Sequence, residues 1–246
     1  MVINSFWNGN EFTVLEKLTI ESFKNHGHSF KLWTYSDRSI PKEYRDIIFD
    51  ANLIIDKEKY FTYKGNGDCY EGLVGGFSDI FRYHLLYKQG GWYVDMDVTC
   101  LKSFTDFTQD VVLRPHNRCK VVANIIKFPK GDERLLGLIT ETEEKITADN
   151  NRWLLPLEIL DAFVTKHNLD KYIVSEKCFG ADKNDEIVSF LRSNYLIVKD
   201  KMPSHAIHWC NTALQHGNFN LSTNFNKKTP LKNTLYNFLI RLNGVS

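Results

Sequence analysis

A pair of glycines, Gly90-Gly91, divides a stretch whose two sides have different periods, and this junction constrains the fold more tightly than any other segment. Upstream, Phe77, Ile80, Phe81 and Leu85 recur at spacings of three and four, with His84 on the same stripe, which predicts an amphipathic helix. Downstream, Trp92-Tyr93-Val94 is aromatic and β-branched and predicts a short buried strand. The glycines supply the positive-φ conformation that ends a helix and releases the chain into that strand. The strand runs into Asp95-Met96-Asp97, where alternation puts both aspartates on one side and turns Met96 toward the core. Two carboxylates so placed repel each other. A divalent cation such as Mg²⁺ or Mn²⁺, set between them and a phosphate-bearing ligand, relieves the repulsion. Asp79 and Arg82, three apart, share one face of the preceding helix and enlarge the cluster.

The segments before this stretch alternate in period. Val2 to Trp7 predicts a buried strand ending at Asn8-Gly9-Asn10, Glu11 to His26 a helix, and Phe30 to Tyr35 a second strand. A strand, helix, strand unit argues for an α/β sheet whose ligands bind beyond the carboxyl ends of the strands, where Trp7 and Tyr35 both lie. Pro41 to Phe49 reads as a short helix, Asn52 to Ile55 as a small strand, and Asp56 to Gly76 as a mobile loop bordering the site. Later, Val111 to Arg114, Lys120 to Phe128, Asn194 to Val198 and Ser204 to Trp209 read as strands. Glu133 to Ile146 and Trp153 to His167 read as helices.

Composition excludes some classes. The net charge of +1 argues against a nucleic-acid binder with a strongly basic face. Five widely spaced cysteines without a C-x-x-C pair fit reduced thiols, and the lack of a leader or membrane-length apolar run predicts a cytoplasmic protein. From Pro230 to Leu242, Leu231, Leu235, Phe238, Leu239 and Leu242 share a helical face near Lys227, Lys228, Lys232 and Arg241. Such a basic and apolar helix can lie on the inner face of a membrane; the favoured reading is that it packs on its own domain.

A lone Asp-x-Asp is a weak signal, because acidic pairs are common in solvated loops. Here it follows Ser78, Asp79, Arg82, Tyr83, Leu86, Tyr87, Gly90, Gly91 and Tyr93 at fixed spacing before Asp95 and Asp97. That pattern resembles the DXD-motif sugar transferases of the glycosyltransferase family 32 type, which include yeast-type mannosyltransferases and bacterial capsule or lipopolysaccharide enzymes. Phe6-Trp7-Asn8-Gly9, Asn124 before Lys127-Phe128-Pro129, and Ile207-His208-Trp209 also look like family positions, while Gly131 to Ser204 is hardly covered. A Gly-Pro expected after the second helical region is absent; Leu155-Pro156 stands nearest to it.

The resemblance implies a GT-A fold, α/β with a Rossmann-like nucleotide-binding half and a mixed central sheet. It implies one catalytic domain over 1–246, with a donor half at 1–100, an acceptor-side half at 101–225 and a terminal helix at 226–246. It further implies a retaining hexosyltransferase acting from a nucleotide diphosphate sugar, UDP-linked rather than GDP-linked, onto a hydroxyl of a glycan or lipid-linked glycan, in surface polysaccharide or lipopolysaccharide synthesis. Asp79 and Asp95 would hold ribose and sugar hydroxyls, Arg82 the donor sugar or diphosphate, and Trp7 the base. Tyr35, Tyr93, Asn124, His208 and Trp209 complete the expected donor site.

Physical alternatives accompany these roles. Arg82 suits oxyanions but could pair only with Asp79 along the helix, and Trp7 could be core. Asp97 is the better direct metal ligand, with Asp95 bridging directly or through water. His208 is the expected third ligand and favours Mn²⁺; His205 competes, though strand alternation points the two histidines to opposite faces. A metal-dependent nucleotidyltransferase or phosphohydrolase, or a non-catalytic glycan-binding module, would also accommodate parts of the pattern.

Overall fold

In a computed structural model the structure describes residues 1–65, 71–150, 152–180, 184–211 and 234–245. Strand β1 (Val2–Phe6) leads through α1 (Val14–Asn25) to β2 (Ser29–Thr34), which pairs with β1 in parallel. Thr13 opens α1 with a capping box: its side chain accepts from Leu15 N–H, and Glu16 accepts from the Thr13 backbone. β3 (Ile48–Asp50) extends the sheet in parallel, while α2 (Gly75–Gln89) crosses back to β4 (Gly91–Val94), parallel to β1.

Beyond β5 (Val98–Cys100) come β6 (Val112–Pro115) and β7 (Val121–Phe128). β7 pairs antiparallel with both β4 and β6, giving a mixed six-stranded sheet of order β3-β2-β1-β4-β7-β6. The helices α3 (Arg134–Lys145), α4 (Leu155–Lys166), α5 (Glu176–Phe179), α6 (Asn184–Arg192) and α7 (Tyr195–Val198) follow. β8 (Ala206–His208) pairs antiparallel with β5 in a separate two-stranded sheet, and α8 (Leu235–Leu242) comes last.

The helix, glycine pair and strand form as expected. Phe77, Ile80, Phe81 and Leu85 are buried on one side of α2, while His84 sits at the edge of that stripe, 3.1 Å from Glu143. Gly90 has φ +67°, and a Cβ there would come 2.4 Å from the Lys130 backbone nitrogen, so position 90 admits no side chain. The hydrophobic set of β4 divides by alternation: Tyr93 packs with α2, and Trp92 and Val94 pack on the opposite layer.

Three expectations fail locally. Asn52 to Ile55 is no strand, because the Asp50 side chain accepts from Asn52 N–H and starts a 3₁₀ turn over Ala51–Leu53. Asn194 caps Leu196 N–H in the same way, so Tyr195–Val198 is helical rather than extended. Pro41 to Phe49 divides into a 3₁₀ turn, Lys42–Ile47, and β3. Between Asp56 and Gly76, the described part is tied down: Tyr63 exchanges backbone bonds with Leu73 and Gly72, and Lys64 N–H donates to Ala148.

The terminal helix packs on its own domain. Leu235, Tyr236 and Leu239 are buried with Leu15 and Leu18 of α1, whereas Leu242 is exposed. Lys227, Lys228, Leu231 and Lys232 lie outside the described residues. Cys100, Cys119, Cys178 and Cys210 are free thiols, and Cys69 lies outside the described residues. Among the described residues, no helix is long and apolar enough to cross a membrane.

Candidate active site

The parallel strands β1, β2 and β4 end on the same edge of the sheet, and the expected site residues gather there. After Val94 the strand gives way to a turn at Met96-Asp97, so the two aspartates share a side through the turn rather than through strand alternation. Met96 is buried as expected. The Asp95 N–H still donates to Asn124 O at 2.9 Å, which keeps the start of the turn in register with β7.

Arg82 is buried on α2 and divides its guanidinium among several acceptors. One terminal nitrogen lies 3.1 Å from Asp79 Oδ1, and the other lies 3.0 Å from Asp95 Oδ1 and 3.1 Å from Ser78 Oγ. The intrahelical pair with Asp79 therefore forms together with the pair to Asp95, so the fork crosslinks helix and strand. Burial opposes the Arg82 charge, but Asp95 and Asp79 outweigh it and hold the group protonated. Burial pushes the Asp79 carboxyl up to about 6; Arg82 opposes the rise and the Asp95 charge adds to it. Asp95 is also raised, first by burial and then by Asp97, against the pull of Arg82 and His208.

The far end of the described chain supplies the other flank. β8 places His208 opposite Val98, one residue beyond Asp97, and His208 Nε2 comes 3.1 Å from Asp97 Oδ1. Trp209 N–H donates to Asp97 O, and Asn211 N–H donates to Asp97 Oδ2, both at 2.9 Å. One ligand atom from each of Asp95, Asp97 and His208 lies within 4.8 Å of the other two. Two carboxylates and an imidazole are a donor set that fits Mn²⁺ and accepts Mg²⁺. His205 is turned away: its Nδ1 lies 2.7 Å from Ser204 Oγ and its Nε2 3.3 Å from Asp106.

Other expected residues stand behind this surface. Tyr93 is wholly buried; its ring lies 4.9 Å under the Arg82 guanidinium, and its hydroxyl reaches Ser78 Oγ and Asp95. Trp209 is also wholly buried, donating from Nε1 to Thr99 Oγ1 and meeting Tyr236 edge-on, so it anchors the arm that carries His208. Asn124 is buried too, with Nδ2 2.9 Å from His208 Nδ1. Tyr35 is half-buried, its hydroxyl donating to Ile55 O. Trp7 is packed edge-on against Phe12 with its indole bonded to Glu16, leaving 8% of the residue exposed.

Arg114 was missed. It is wholly buried at the end of β6, donating to Asn124 Oδ1 at 2.9 Å and twice to Phe179 O. Through Asn124 it fixes the support beneath His208. The only hint in the sequence is a charged residue closing an apolar run, because its partners are distant in the chain.

Residues 14–118 match the family described as "Glycosyltransferase sugar-binding region containing DXD motif". That span contains Asp79, Arg82, Asp95 and Asp97 and ends before Asn124 and His208. No curated protein sequence matches the chain. Among solved structures, the chain is similar to the apo form of the glycosyltransferase GlyE from Streptococcus pneumoniae TIGR4, with TM-score 0.51 and 15% identity. The match covers 85% of this chain and 54% of GlyE, so this chain spans about half of that protein. A second GlyE structure gives TM-score 0.50 with the same identity and coverage. The galactosyltransferase LgtC, solved with donor and acceptor sugar analogues, matches at TM-score 0.47 and 10% identity over 85% of this chain and 87% of its own. Residues 14–118 thus resemble a DXD-containing glycosyltransferase sugar-binding region, and the chain as a whole shares the mixed α/β GT-A fold of GlyE.

Proposed function

We propose that this protein transfers a hexose, with retention of configuration, from a nucleotide diphosphate sugar to a hydroxyl of a glycan acceptor. The observation that carries the reading is the convergence of Asp95, Asp97 and His208 beside the Arg82 fork. Asp95, Asp97 and His208 would hold Mn²⁺ or Mg²⁺, which when bound supplies electrostatic stabilisation to a departing diphosphate. The chain's own part is to hold that geometry. Arg82 fixes Asp95 and offers positive charge at the edge of the site, Asn124 orients His208, and Trp209 anchors the arm.

The donor half is assigned to 1–100 and the acceptor side to 101–225 within one catalytic domain. The resemblance favours a UDP-sugar donor and a role in surface polysaccharide or lipopolysaccharide synthesis. It also favours front-face attack, in which the donor phosphate takes the acceptor proton. Trp7, with little of its indole exposed, stacks on the base only across a narrow rim, so Tyr35 is the more accessible aromatic at that edge.

Incubating the protein with a panel of sugar nucleotides and Mn²⁺, and following release of nucleoside diphosphate and glycosylated product, tests the reading. Inorganic phosphate or pyrophosphate in place of nucleoside diphosphate would favour a phosphohydrolase or nucleotidyltransferase. Glycan binding without turnover of any donor would favour a binding module.

A further inference from the structure

A small cleft opens beside His208, between β6, α6 and the arm that carries β8. Its floor is closed, with Arg114, Phe179, Phe190 and Ile207 each 1% exposed. Gly180, Glu186 and His208 are partly exposed and form its mouth. The space amounts to about 10 Å³, room for about one water-sized group and far less than a sugar ring.

The walls are fixed by folding. Arg114 donates twice to Phe179 O and so holds the turn into Gly180, where φ is +69°. Ser204 N–H donates to Lys177 O and His205 N–H to Cys178 O, which ties α5 to the approach of β8. On α6, Ile187, Phe190 and Leu191 are buried in one apolar cluster with Ile207 and Trp209 of the arm. The same packing therefore positions Glu186 and His208. Among the described residues, Glu186 makes no hydrogen bond and no ion pair.

Hydrogen bonds and sheet order place the cleft. Arg114 donates to Asn124 Oδ1, and Asn124 O accepts from Asp95 N–H, so the floor adjoins the aspartate turn through two bonds. β4, which leads into Asp95, stands between β6 and the strands β1 and β2 that lead to Trp7 and Tyr35. The cleft thus lies across the cluster from the edge expected to take the base. An unpaired acid at its mouth would repel a diphosphate but suits a sugar hydroxyl, which donates to a carboxylate in a charge-assisted bond. We infer that Glu186 accepts a hydrogen bond from one hydroxyl of the acceptor, which enters this cleft while the ring stays outside; this rests on the transferase reading above.

The full chain, with Glu186→Ala and Glu186→Gln, is assayed for donor hydrolysis, with water as acceptor, and for transfer to methyl hexopyranosides and their monodeoxy analogues. Glu186→Ala should raise KM for the methyl glycoside roughly tenfold. Glu186→Gln should raise it less, because the amide oxygen still accepts. Donor hydrolysis, nucleotide affinity and Mn²⁺ affinity should stay unchanged in both. One monodeoxy analogue should bring the wild type to the KM of Glu186→Ala, and that variant should no longer distinguish it from the parent glycoside. An unchanged KM in Glu186→Ala overturns the inference, as does discrimination among the deoxy analogues identical to that of the wild type. A parallel loss of donor affinity and hydrolysis would put Glu186 on the donor sugar, and a loss of Mn²⁺ affinity would make it a support of His208; either overturns the inference. A wild type that turns over no sugar nucleotide overturns the transferase reading and the inference with it. Wild-type transfer that Glu186→Ala leaves untouched overturns the inference alone.

Discussion

Asp79, Arg82 and Asp95 stand on one continuous unit of helix, glycine pair and strand, whereas Asp97 and His208 meet only because β8 returns from late in the chain to pair with β5. The first flank already contains its cation: the Arg82 fork lies between two carboxylates in a buried setting. On the second flank Asp97 faces the His208 imidazole and accepts from the backbone N–H of Asn211, while its carbonyl accepts from Trp209 N–H. One flank is therefore organised by folding. On the proposed function, the other would take its charge from a bound cation and the donor diphosphate. The contrast teaches that the first flank should be read in stability and the second in activity.

The largest expected effect is on the second flank. Asp97→Ala should lower transfer roughly a thousandfold and abolish Mn²⁺-dependent donor binding, as loss of a focused electrostatic contribution does. Its unfolding midpoint should move little, because the backbone bond from Trp209 survives. Normal turnover by this variant in chelator-treated buffer would end the metal assignment. On the first flank, Arg82→Met should leave Asp79 and Asp95 buried without compensation and cost about 3–5 kcal/mol in urea unfolding at pH 7.5. That deficit should shrink as acid protonates the two carboxyls. A stability loss of less than about 1 kcal/mol would mean that solvent, not Arg82, balances them.

The same contrast explains what could be read without coordinates. The period change at Gly90-Gly91 is local chemistry, and α2 and β4 followed from it, while the aspartates share a side through a turn that alternation did not foresee. Three-apart spacing even foretold the Asp79 pair. The pairing of β8 with β5 was not readable, because three-residue strands carry no period, and nothing local selects Val98–Cys100 as the partner. Arg114 stayed hidden for a related reason, its acceptors being Asn124 and the Phe179 carbonyl. Asn52 to Ile55 and Asn194 to Val198 have strand-like composition, but Asp50 and Asn194 supply capping oxygens that outweigh it. Tyr93 and Trp209, expected at the donor site by pattern, are wholly buried by packing.

Asp79 gives the next smaller effect and carries a sign. Its folded carboxyl is pushed to about 6 from an ordinary 3.8, so the folded state binds its proton more tightly than the unfolded chain. Stability from this group is full below about 4 and is lost as pH rises through 6, on the order of 1–3 kcal/mol in the metal-free protein. Asp79→Asn should remove that slope and make the metal-free protein more stable by a similar amount, ~1–3 kcal/mol, at pH 7.5, while weakening donor binding. Chemical denaturation from pH 4 to 7.5 checks both halves. An unaltered slope would show that Arg82 already satisfies the carboxylate, and the first flank would then store no strain.

Tyr93→Phe is the mildest probe and separates support from contact. The substitution keeps the buried ring under Arg82 and removes only the hydroxyl that reaches Ser78 Oγ at 3.2 Å and Asp95. Losing these two buried bonds should cost about 1–2 kcal/mol of stability, because Ser78 Oγ and Asp95 still receive bonds from Arg82. Asp95 should keep its position through the fork, so transfer should fall less than tenfold with KM for the donor nearly unchanged. A residue that touched the donor would behave otherwise, raising KM while leaving stability alone. Urea unfolding and steady-state kinetics on this variant therefore show which side of the Arg82 layer Tyr93 serves, and a large rise in donor KM would move the first flank from scaffold to binding surface.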